Sequence, residues 1–241
     1  MILRLRSTTS TMKEALALAA RGEPHGTAVV AEEQTAGVGR HGHSWHSQAG
    51  GGLYLSIILR AALPADALPV LTMALGLAVQ RAVDDVADVN SDLRWPNDLL
   101  LNEKKLAGIM VQAADAPGGK GALIAGMGVN VNQTSFPEDL RGIATSLRLE
   151  TGRDHSKEAL LNRVLTEALR FTTLLAERGR ETILKQFEAR SSYVSGKAVD
   201  VALGDRSISG VTEGLCERGF LRVRTAGGLE TIIAGGVRAR G

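Results

Sequence analysis

The chain has 241 residues, of which 44% are hydrophobic, and its 28 basic and 26 acidic residues leave a formal net charge of +2. This length predicts one large domain or a medium domain with a small appendage, and the mixed charge gives no general case for binding nucleic acid or membranes. The one cysteine, Cys216, excludes an internal disulfide framework. Because no apolar run approaches the ~18 residues of a membrane span, and no signal-peptide pattern opens the chain, we expect a cytoplasmic protein without membrane contact.

The first elements are a short strand and a helix. Residues 2–6 alternate between apolar and basic side chains, which predicts a strand. Thr11 and Glu14 have the spacing of a capping box, ahead of a helix that Gly22 ends. The hydroxyl residues at positions 7–10 exceed what one helix cap requires, so we expect ligand contacts among them.

A glycine-rich loop follows the next predicted strand, residues 28–31. Gly37, Gly39 and Gly42 alternate with cationic side chains. Accessible backbone N–H groups together with cationic side chains can bind a phosphate or a carboxylate. The spacing G-x-G-x-x-G is also that of a dinucleotide fold, which requires a helix directly after the loop. Here residues 53–59 predict a strand instead, so we interpret the segment as a loop that joins two strands and closes over an anion.

Two other interpretations of this loop are less favoured. A protein kinase has a glycine loop between strands, but the chain shows no H-R-D or D-F-G motif. The histidines His41, His43 and His46 could bind zinc, but no cysteine accompanies them and a glycine loop provides little support for a metal site.

The middle of the chain predicts a core helix and a hairpin. Residues 66–88 carry apolar side chains at helical spacing, with Pro69 in the first turn. Strands at residues 99–101 and 105–113 are separated by a turn, which places Asn97 and Asp98 at one end of the first strand and Lys105 at the start of the second.

The next strand, residues 121–132, contains Gly126 and Gly128, which indicate close backbone approach, and period 2 puts Asn130 and Asn132 on one face. Residues 133–155 look irregular. Ser156 then caps a helix that ends at Gly179, and a second helix covers residues 181–189.

After Ser195 the pattern changes to short alternating strands punctuated by glycines, which is typical of a small antiparallel barrel. We therefore expect two domains, residues 1–194 and 195–241.

Four ordered motifs resemble those of biotin protein ligases. They are G-V-G-R-H-G-H-S-W from Gly37, R-W-P-N-D from Arg94, K-L-A-G-I from Lys105 and G-M-G-V-N-V-N from Gly126. The resemblance covers almost the whole chain and implies an α/β fold of α+β type, with a mixed β-sheet backed by helices and a small C-terminal SH3-like β-barrel. It also implies ATP-dependent formation of biotinyl-5′-AMP and transfer of biotin to a lysine of a biotin carboxyl carrier protein, with ATP and biotin as substrates and Mg²⁺ as cofactor.

By the same resemblance, Lys105 and Arg40 are the catalytic residues and Asp98 is the metal ligand. The residues implied to bind biotin are Ser7, Thr8, Thr9, Gln34, Gly37, Gly39, Arg40, Lys105 and Gly108. The residues implied to bind ATP or the adenylate are Val38, Gly39, Arg40, His41, His43, Trp45, Asn97, Lys105 and Asn130.

The expected partner is the carrier domain of an acyl-CoA carboxylase, with a homodimer possible through a sheet edge. Lipoate ligases and octanoyltransferases share a similar core and form one alternative. A nucleic-acid-binding module forms another, but the first strand begins at Ile2, so we expect no DNA-binding domain ahead of it, and Phe220 is the one aromatic residue in the arginine-containing barrel.

Overall fold

A seven-stranded mixed sheet forms the larger part of the protein, for which the computed structural model describes residues 1–114, 121–204 and 206–240. Its strands are β1 (Ile2–Thr8), β2 (Ala28–Gln34), β3 (Gly52–Leu59), β4 (Asp92–Arg94), β5 (Asp98–Leu101), β6 (Lys104–Ala114) and β7 (Ala122–Asn130). Their order is β1-β2-β3-β7-β6-β5-β4. β1 and β2 are parallel, and the other neighbours are antiparallel.

Helices cover both faces of this sheet. They are α1 (Thr11–Ala20), α2 (Leu68–Ala87), α3 (Leu147–Thr151) and α4 (Lys157–Ala189). α2 and α4 pack together against one face, where Ile57 and Ala125 join the main core. The next residues along the same strands, Ile58 and Ile124, point the other way and pack under α1, as the period of 2 in a strand requires. The site described below lies on the α1 face.

A second, five-stranded sheet follows. Its strands are β8 (Ser195–Leu203), β9 (Arg206–Leu215), β10 (Leu221–Thr225), β11 (Gly228–Ile232) and β12 (Gly236–Ala239), in the antiparallel order β11-β10-β9-β8-β12. Its inward side chains, among them Val201 and Val223, belong to the same core as α2 and α4. Trp95 Nε1 also donates a hydrogen bond to the Gly219 carbonyl at 2.9 Å. The predicted α/β architecture with a small all-β unit is confirmed.

Several local predictions were correct. The glycine loop joins two strands, Pro69 lies in the first turn of α2, and Ser156 caps α4 by accepting a hydrogen bond from the Ala159 N–H. Gly179, at φ 75° and ψ −178°, interrupts α4 where the two predicted helices were separated. Among the described helices, none has both the length and the apolar character of a membrane span.

Three local predictions were wrong. Ser10, not Thr11, is the N-cap of α1 and accepts from the Met12 N–H. The segment 133–155 contains α3 and a 3₁₀ turn at Glu138–Leu140, so it is not wholly irregular. Asn132 lies beyond the end of β7, where its amide binds the backbone of His155, so it does not share a strand face with Asn130.

Candidate active site

Three glycines of β6 and β7 form a flat floor on the α1 face of the large sheet. Two adjacent cross-strand rows define it: Ser56, Gly126 and Met110 in one, and Tyr54, Gly128, Gly108 and Asp98 in the other. Because glycine has no side chain, other groups can approach the sheet backbone directly at these positions.

Two side chains from outside the sheet lie on this glycine floor. A Cβ atom on Gly126 would come within 2.6 Å of Met12 Sδ. A Cβ atom on Gly128 would come within 2.5 Å of Trp45 Cε2, and one on Gly108 within 2.9 Å of Trp45 Cζ3. The thioether and the indole therefore take the space that side chains of the floor would otherwise occupy.

The glycine loop is folded into a narrow hairpin that carries Trp45 to the floor. The Gly39 N–H donates to the His43 carbonyl at 2.7 Å, and the Trp45 N–H donates to the Gly37 carbonyl at 2.9 Å. A Cβ atom on Gly37 would lie 2.6 Å from the Trp45 carbonyl oxygen, so the narrow hairpin requires glycine there. Between these bonds, the 3₁₀ turn Arg40–Gly42 presents Arg40.

Asp98 lies between two cations. Lys105 Nζ is 2.7 Å from Asp98 Oδ1, and Arg94 Nη2 is 2.7 Å from Asp98 Oδ2. The carboxylate side chain is 15% exposed, and each of its two oxygens is paired with one cation. Lys105 Nζ also lies 5.4 Å above the centroid of the Trp45 ring. An ammonium group has three donors, so Lys105 can bind a second anion while it is paired with Asp98.

The backbone of Lys105 is held by a segment outside the sheet. Its N–H donates to the Ile143 carbonyl at 2.8 Å, and its carbonyl accepts from the Thr145 N–H at 2.9 Å. Next to it, the pairing of β5 with β6 shifts register between Leu99 and Leu100. This irregularity is a β-bulge, a feature that redirects side chains near functional sites.

Arg40 is a half-buried cation beside the floor. Its Nη1 donates to Asn97 Oδ1 at 2.8 Å, and Asn97 Nδ2 donates to the Ile109 carbonyl at 3.0 Å. Burial lowers the pKa of Arg40, while the Asp98 charge raises it. A guanidinium stays charged even when it is partly removed from water. An anionic ligand beside Arg40 would therefore replace the favourable interactions with water that burial removes.

Two cavities meet at these charged residues. The smaller one has a volume of about 60 Å³ and is lined by residues that include Met12, Leu55 and Met110. The larger one, a cleft of about 940 Å³, lies between the glycine loop, the turn at residues 94–98 and strands β8 and β12. The residues that line both are Gly39, Arg40, Trp45, Asn97 and Lys105.

The far end of the smaller cavity is polar. Gln34 Oε1 accepts from the Thr11 N–H at 2.9 Å and from its hydroxyl at 3.1 Å, while Gln34 Nε2 donates to Ser47 Oγ at 2.9 Å. The Thr11 hydroxyl also lies 2.8 Å from Ser56 Oγ. This cavity therefore has an apolar middle, with amide and hydroxyl groups at one end and cations at the other.

Both parts of the chain match known family models. Residues 4–132, more than half of the chain, match the biotin/lipoate A/B protein ligase family, and residues 194–237 match the biotin protein ligase C terminal domain. The chain belongs to the biotin/lipoate A/B protein ligase family.

Individual relatives agree with this membership. The biotin–[acetyl-CoA-carboxylase] ligase of Mycobacterium tuberculosis is 33% identical over 95% of this chain and 85% of its own length. The bifunctional ligase/repressor BirA of Bacillus spizizenii is 40% identical over 159 residues, 65% of this chain and 49% of that protein. The chain thus spans about half the length of the Bacillus relatives that it matches. The biotin protein ligase of Aquifex aeolicus in complex with biotin and ATP aligns with a TM-score of 0.86, 32% identity and 99% coverage of both chains.

Most residues that the ligase resemblance selected lie together. Those that line the smaller cavity are Gln34, Val38, Gly39, Arg40, Trp45, Asn97, Lys105 and Gly108. Asp98 and His43 line the larger cleft, and Gly37 supports the hairpin under Trp45. The side chain of His41 lies outside the described residues.

Other predicted ligands lie away from both cavities. The Ser7 hydroxyl donates to Glu33 at 3.2 Å, the Thr8 hydroxyl donates to Glu14 at 2.8 Å, and Thr9 is exposed. Asn130 is buried, and its amide donates to the Thr145 carbonyl at 2.9 Å, so it braces the backbone that holds Lys105.

Thr11 and Met12 line the smaller cavity although sequence reasoning did not select them. The hydroxyl cluster, which ends at Thr11 next to the first turn of α1, could have indicated these two residues. The capping-box interpretation instead gave Thr11 a role in local structure only.

Replacing Gly128 with alanine should displace the Trp45 ring, because the added Cβ would lie 2.5 Å from Cε2 and the sheet backbone beneath it cannot yield. We expect red-shifted emission and faster iodide quenching of Trp45, measured with Trp95→Phe so that one of the two tryptophans remains. Gly121→Ala is the control, since the nearest atom to its Cβ is 3.8 Å away. Unchanged emission from the folded Gly128→Ala protein would contradict this arrangement.

Proposed function

We propose that this protein is an ATP-dependent ligase that activates biotin as biotinyl-5′-AMP and transfers it to a lysine of a biotin carboxyl carrier protein. The observation that carries the proposal is the pair of cavities with Lys105 and Arg40 in their shared wall. A reaction that joins a carboxylic acid to a nucleotide needs one space for each, with cations where the two anions meet. The relationship to biotin protein ligases supports biotin and ATP as the two reactants.

In the first step, a biotin carboxylate oxygen attacks the α-phosphorus of ATP, the bond from that phosphorus to the β-phosphate oxygen breaks, and pyrophosphate leaves. Two anions approach each other, and negative charge develops on the α-phosphate oxygens. Lys105 Nζ, placed at the junction of the cavities, contacts both anions and stabilises this charge. Arg40, fixed by Asn97, holds the phosphate from the loop side.

Asp98 fits the role of a magnesium ligand. Its carboxylate lines the larger cleft beside Lys105, and Mg²⁺ usually takes one or two carboxylates together with phosphate and water. Consistent with such a sparse site, the described residues contain no cluster of three or more His, Cys, Asp or Glu side chains. When bound, the ion supplies charge neutralisation on the phosphates.

The smaller cavity matches the chemistry of biotin. Its cationic end suits the carboxylate, and its apolar middle suits the valeryl chain. At the other end, Gln34 and Thr11 offer an amide and a hydroxyl to the ureido group, which would be costly to bury without hydrogen bonds. Ser7, Thr8 and Thr9 have no part in this proposal.

In the second step, the ε-amine of the carrier lysine attacks the carbonyl carbon of the mixed anhydride. An amide bond forms, the bond from that carbon to the phosphate oxygen breaks, AMP leaves, and the amine proton passes to solvent. Trp45 and the hairpin loop cover the junction and shield the anhydride from water until the lysine arrives.

We infer that the carrier belongs to an acetyl-CoA carboxylase, which the name of the Mycobacterium relative supports. We also infer two domains, residues 1–194 and 195–241, on the basis of the two separate sheets and of the family match at 194–237. Homodimerisation through the sheet edge, the absence of DNA binding and a cytoplasmic location stay predictions.

The test is biotin-dependent exchange of labelled pyrophosphate into ATP, followed by transfer of biotin to a purified carrier domain. We expect exchange with biotin but not with lipoate or octanoate, and streptavidin-detectable carrier only when ATP and biotin are both present. Exchange with lipoate instead would assign the protein to the lipoate branch of the family. A folded protein that exchanges with none of these acids would refute the ligase proposal.

A further inference from the structure

The smaller cavity has a volume of about 60 Å³. Side chains from outside the sheet lie on its glycine floor, and their positions limit the size of the acid that can bind. The question is which of these side chains can yield, because that side chain determines which acids fit.

Part of the wall is fixed. Gln34 and Thr11 are held by hydrogen bonds to each other and to Ser47 and Ser56. Leu55 and Ile109 lie in the centre of the sheet with neighbours on both sides and are 1% exposed. These groups cannot leave without breaking hydrogen bonds or the main core.

Met12 differs from these residues. It is the second residue of α1 and is 5% exposed, and it lies at the boundary between the cavity and the small core under α1. Its sulfur rests on the bare backbone of Gly126, so only glycine at position 126 leaves room for it. A methionine side chain has three rotatable bonds and no hydrogen bond to break, and such side chains fill irregular gaps and rearrange readily.

Met12 also lies at the end where the head of the acid belongs. It follows Thr11, whose hydroxyl contacts Gln34 and Ser56, and Ser56 pairs directly with Gly126 across the sheet. The cations are at the other end of the cavity. A group at this position contacts the ring system of the ligand and not its carboxylate.

We propose that Met12, resting on Gly126, is the specificity-determining residue of the acid pocket and sets the largest head group that the protein can activate. The inference rests on the proposed function and extends it to the class of acids accepted. Acids with a compact polar ring are admitted when the thioether turns away from Gly126. A bulkier ring collides with the methionine.

The experiment compares wild type with Met12→Ala in acid-dependent pyrophosphate exchange, with biotin and with biotin that carries a propyl group on a ureido nitrogen. The substitution removes three heavy atoms, the number that the propyl group adds. We expect kcat/KM for N-propylbiotin to rise at least about 10-fold in Met12→Ala, with little gain for biotin, since hydrophobic pockets discriminate by this order for each added group.

Met110→Ala is the matched control. Met110 lines the same cavity and pairs with Gly126 across the sheet, but it belongs to β6 itself, whereas Met12 reaches the floor from α1. We expect it to weaken both acids alike. An equal gain for N-propylbiotin in Met110→Ala would overturn the assignment to Met12.

Gly126→Ala gives a second measurement in which Met12 is retained. The added Cβ would lie 2.6 Å from the Met12 sulfur and should drive it into the cavity, raising KM for biotin about 10-fold with a smaller change in kcat. Adding Met12→Ala to this variant should restore KM, which a separate structural defect would not allow. If wild type exchanges with biotin but neither result is obtained, the inference fails alone, whereas absence of exchange by wild type would remove the proposed function as well.

Discussion

Replacing Lys105 with alanine should lower biotin-dependent pyrophosphate exchange by about 100- to 1000-fold, the range found when one preorganised donor to a developing charge is removed. Lys105 Nζ lies at the junction of the two cavities, 2.7 Å from Asp98, and no other lysine lines either cavity among the described residues. The loss should fall mainly on kcat, because the charge on the α-phosphate is greatest in the transition state.

Lys104 provides the matched control for this substitution. It is the adjacent residue with the same charge, but its ammonium is directed to Glu150, at 4.0 Å, and lines neither cavity. Lys104→Ala should therefore retain exchange within about 2-fold, since this ammonium contacts neither cavity and its ion pair is long. Full activity in Lys105→Ala, or equal losses in both variants, would refute the role given to Lys105.

Replacing Trp95 with alanine should lower the free energy of unfolding by about 3–5 kcal/mol, the usual loss when a buried tryptophan is truncated. Trp95 is 2% exposed, and its Nε1 donates to the Gly219 carbonyl at 2.9 Å, between the β9–β10 turn and the large sheet. Gly219 itself is packed against Met73 and Val70 of α2. The substitution therefore opens a cavity and removes the hydrogen bond that joins the two sheets.

Urea unfolding followed by circular dichroism measures this loss. Trp95→Phe is the comparison, since it retains a ring but not the hydrogen bond, and it should lose less stability than the alanine variant. A decrease below about 1 kcal/mol in Trp95→Ala would be smaller than most buried truncations and would show that the joint between the sheets is not tightly packed.

The sequence was most informative where local chemistry alone determines structure. The glycines from Gly37 to Gly42 and the glycines before Leu53 predicted a loop between strands, and that loop carries Arg40 and Trp45 into the site. The predicted hairpin of strands 99–101 and 105–113 is present as β5 and β6, but the contact of Lys105 Nζ with Asp98 at 2.7 Å was not part of that prediction. Most of the residues that the motifs then selected line one of the two cavities.

The residues that were missed depend on pairing between distant strands. Nothing near Met12 in the sequence shows that Gly126 lies beneath it, because that contact requires β3, β7 and β6 to be neighbours in one register. The hydroxyl cluster was ambiguous for a related reason. Ser10 and Thr11 both suit a helix cap, and only the fold shows that the Thr11 hydroxyl reaches Ser56 and Gln34.

Two backbone hydrogen bonds join Lys105 to Ile143 and Thr145. The position of the Lys105 ammonium group therefore depends on the length of the segment that contains these two residues. None of the residues from 133 to 146 lines either cavity, yet one residue more or less in that segment would move the anchor of the lysine relative to Asp98. The length of the segment between β7 and α3 therefore helps to set the position of Lys105, although the segment lies outside both cavities. An insertion there would change turnover while every residue in contact with substrate stayed the same.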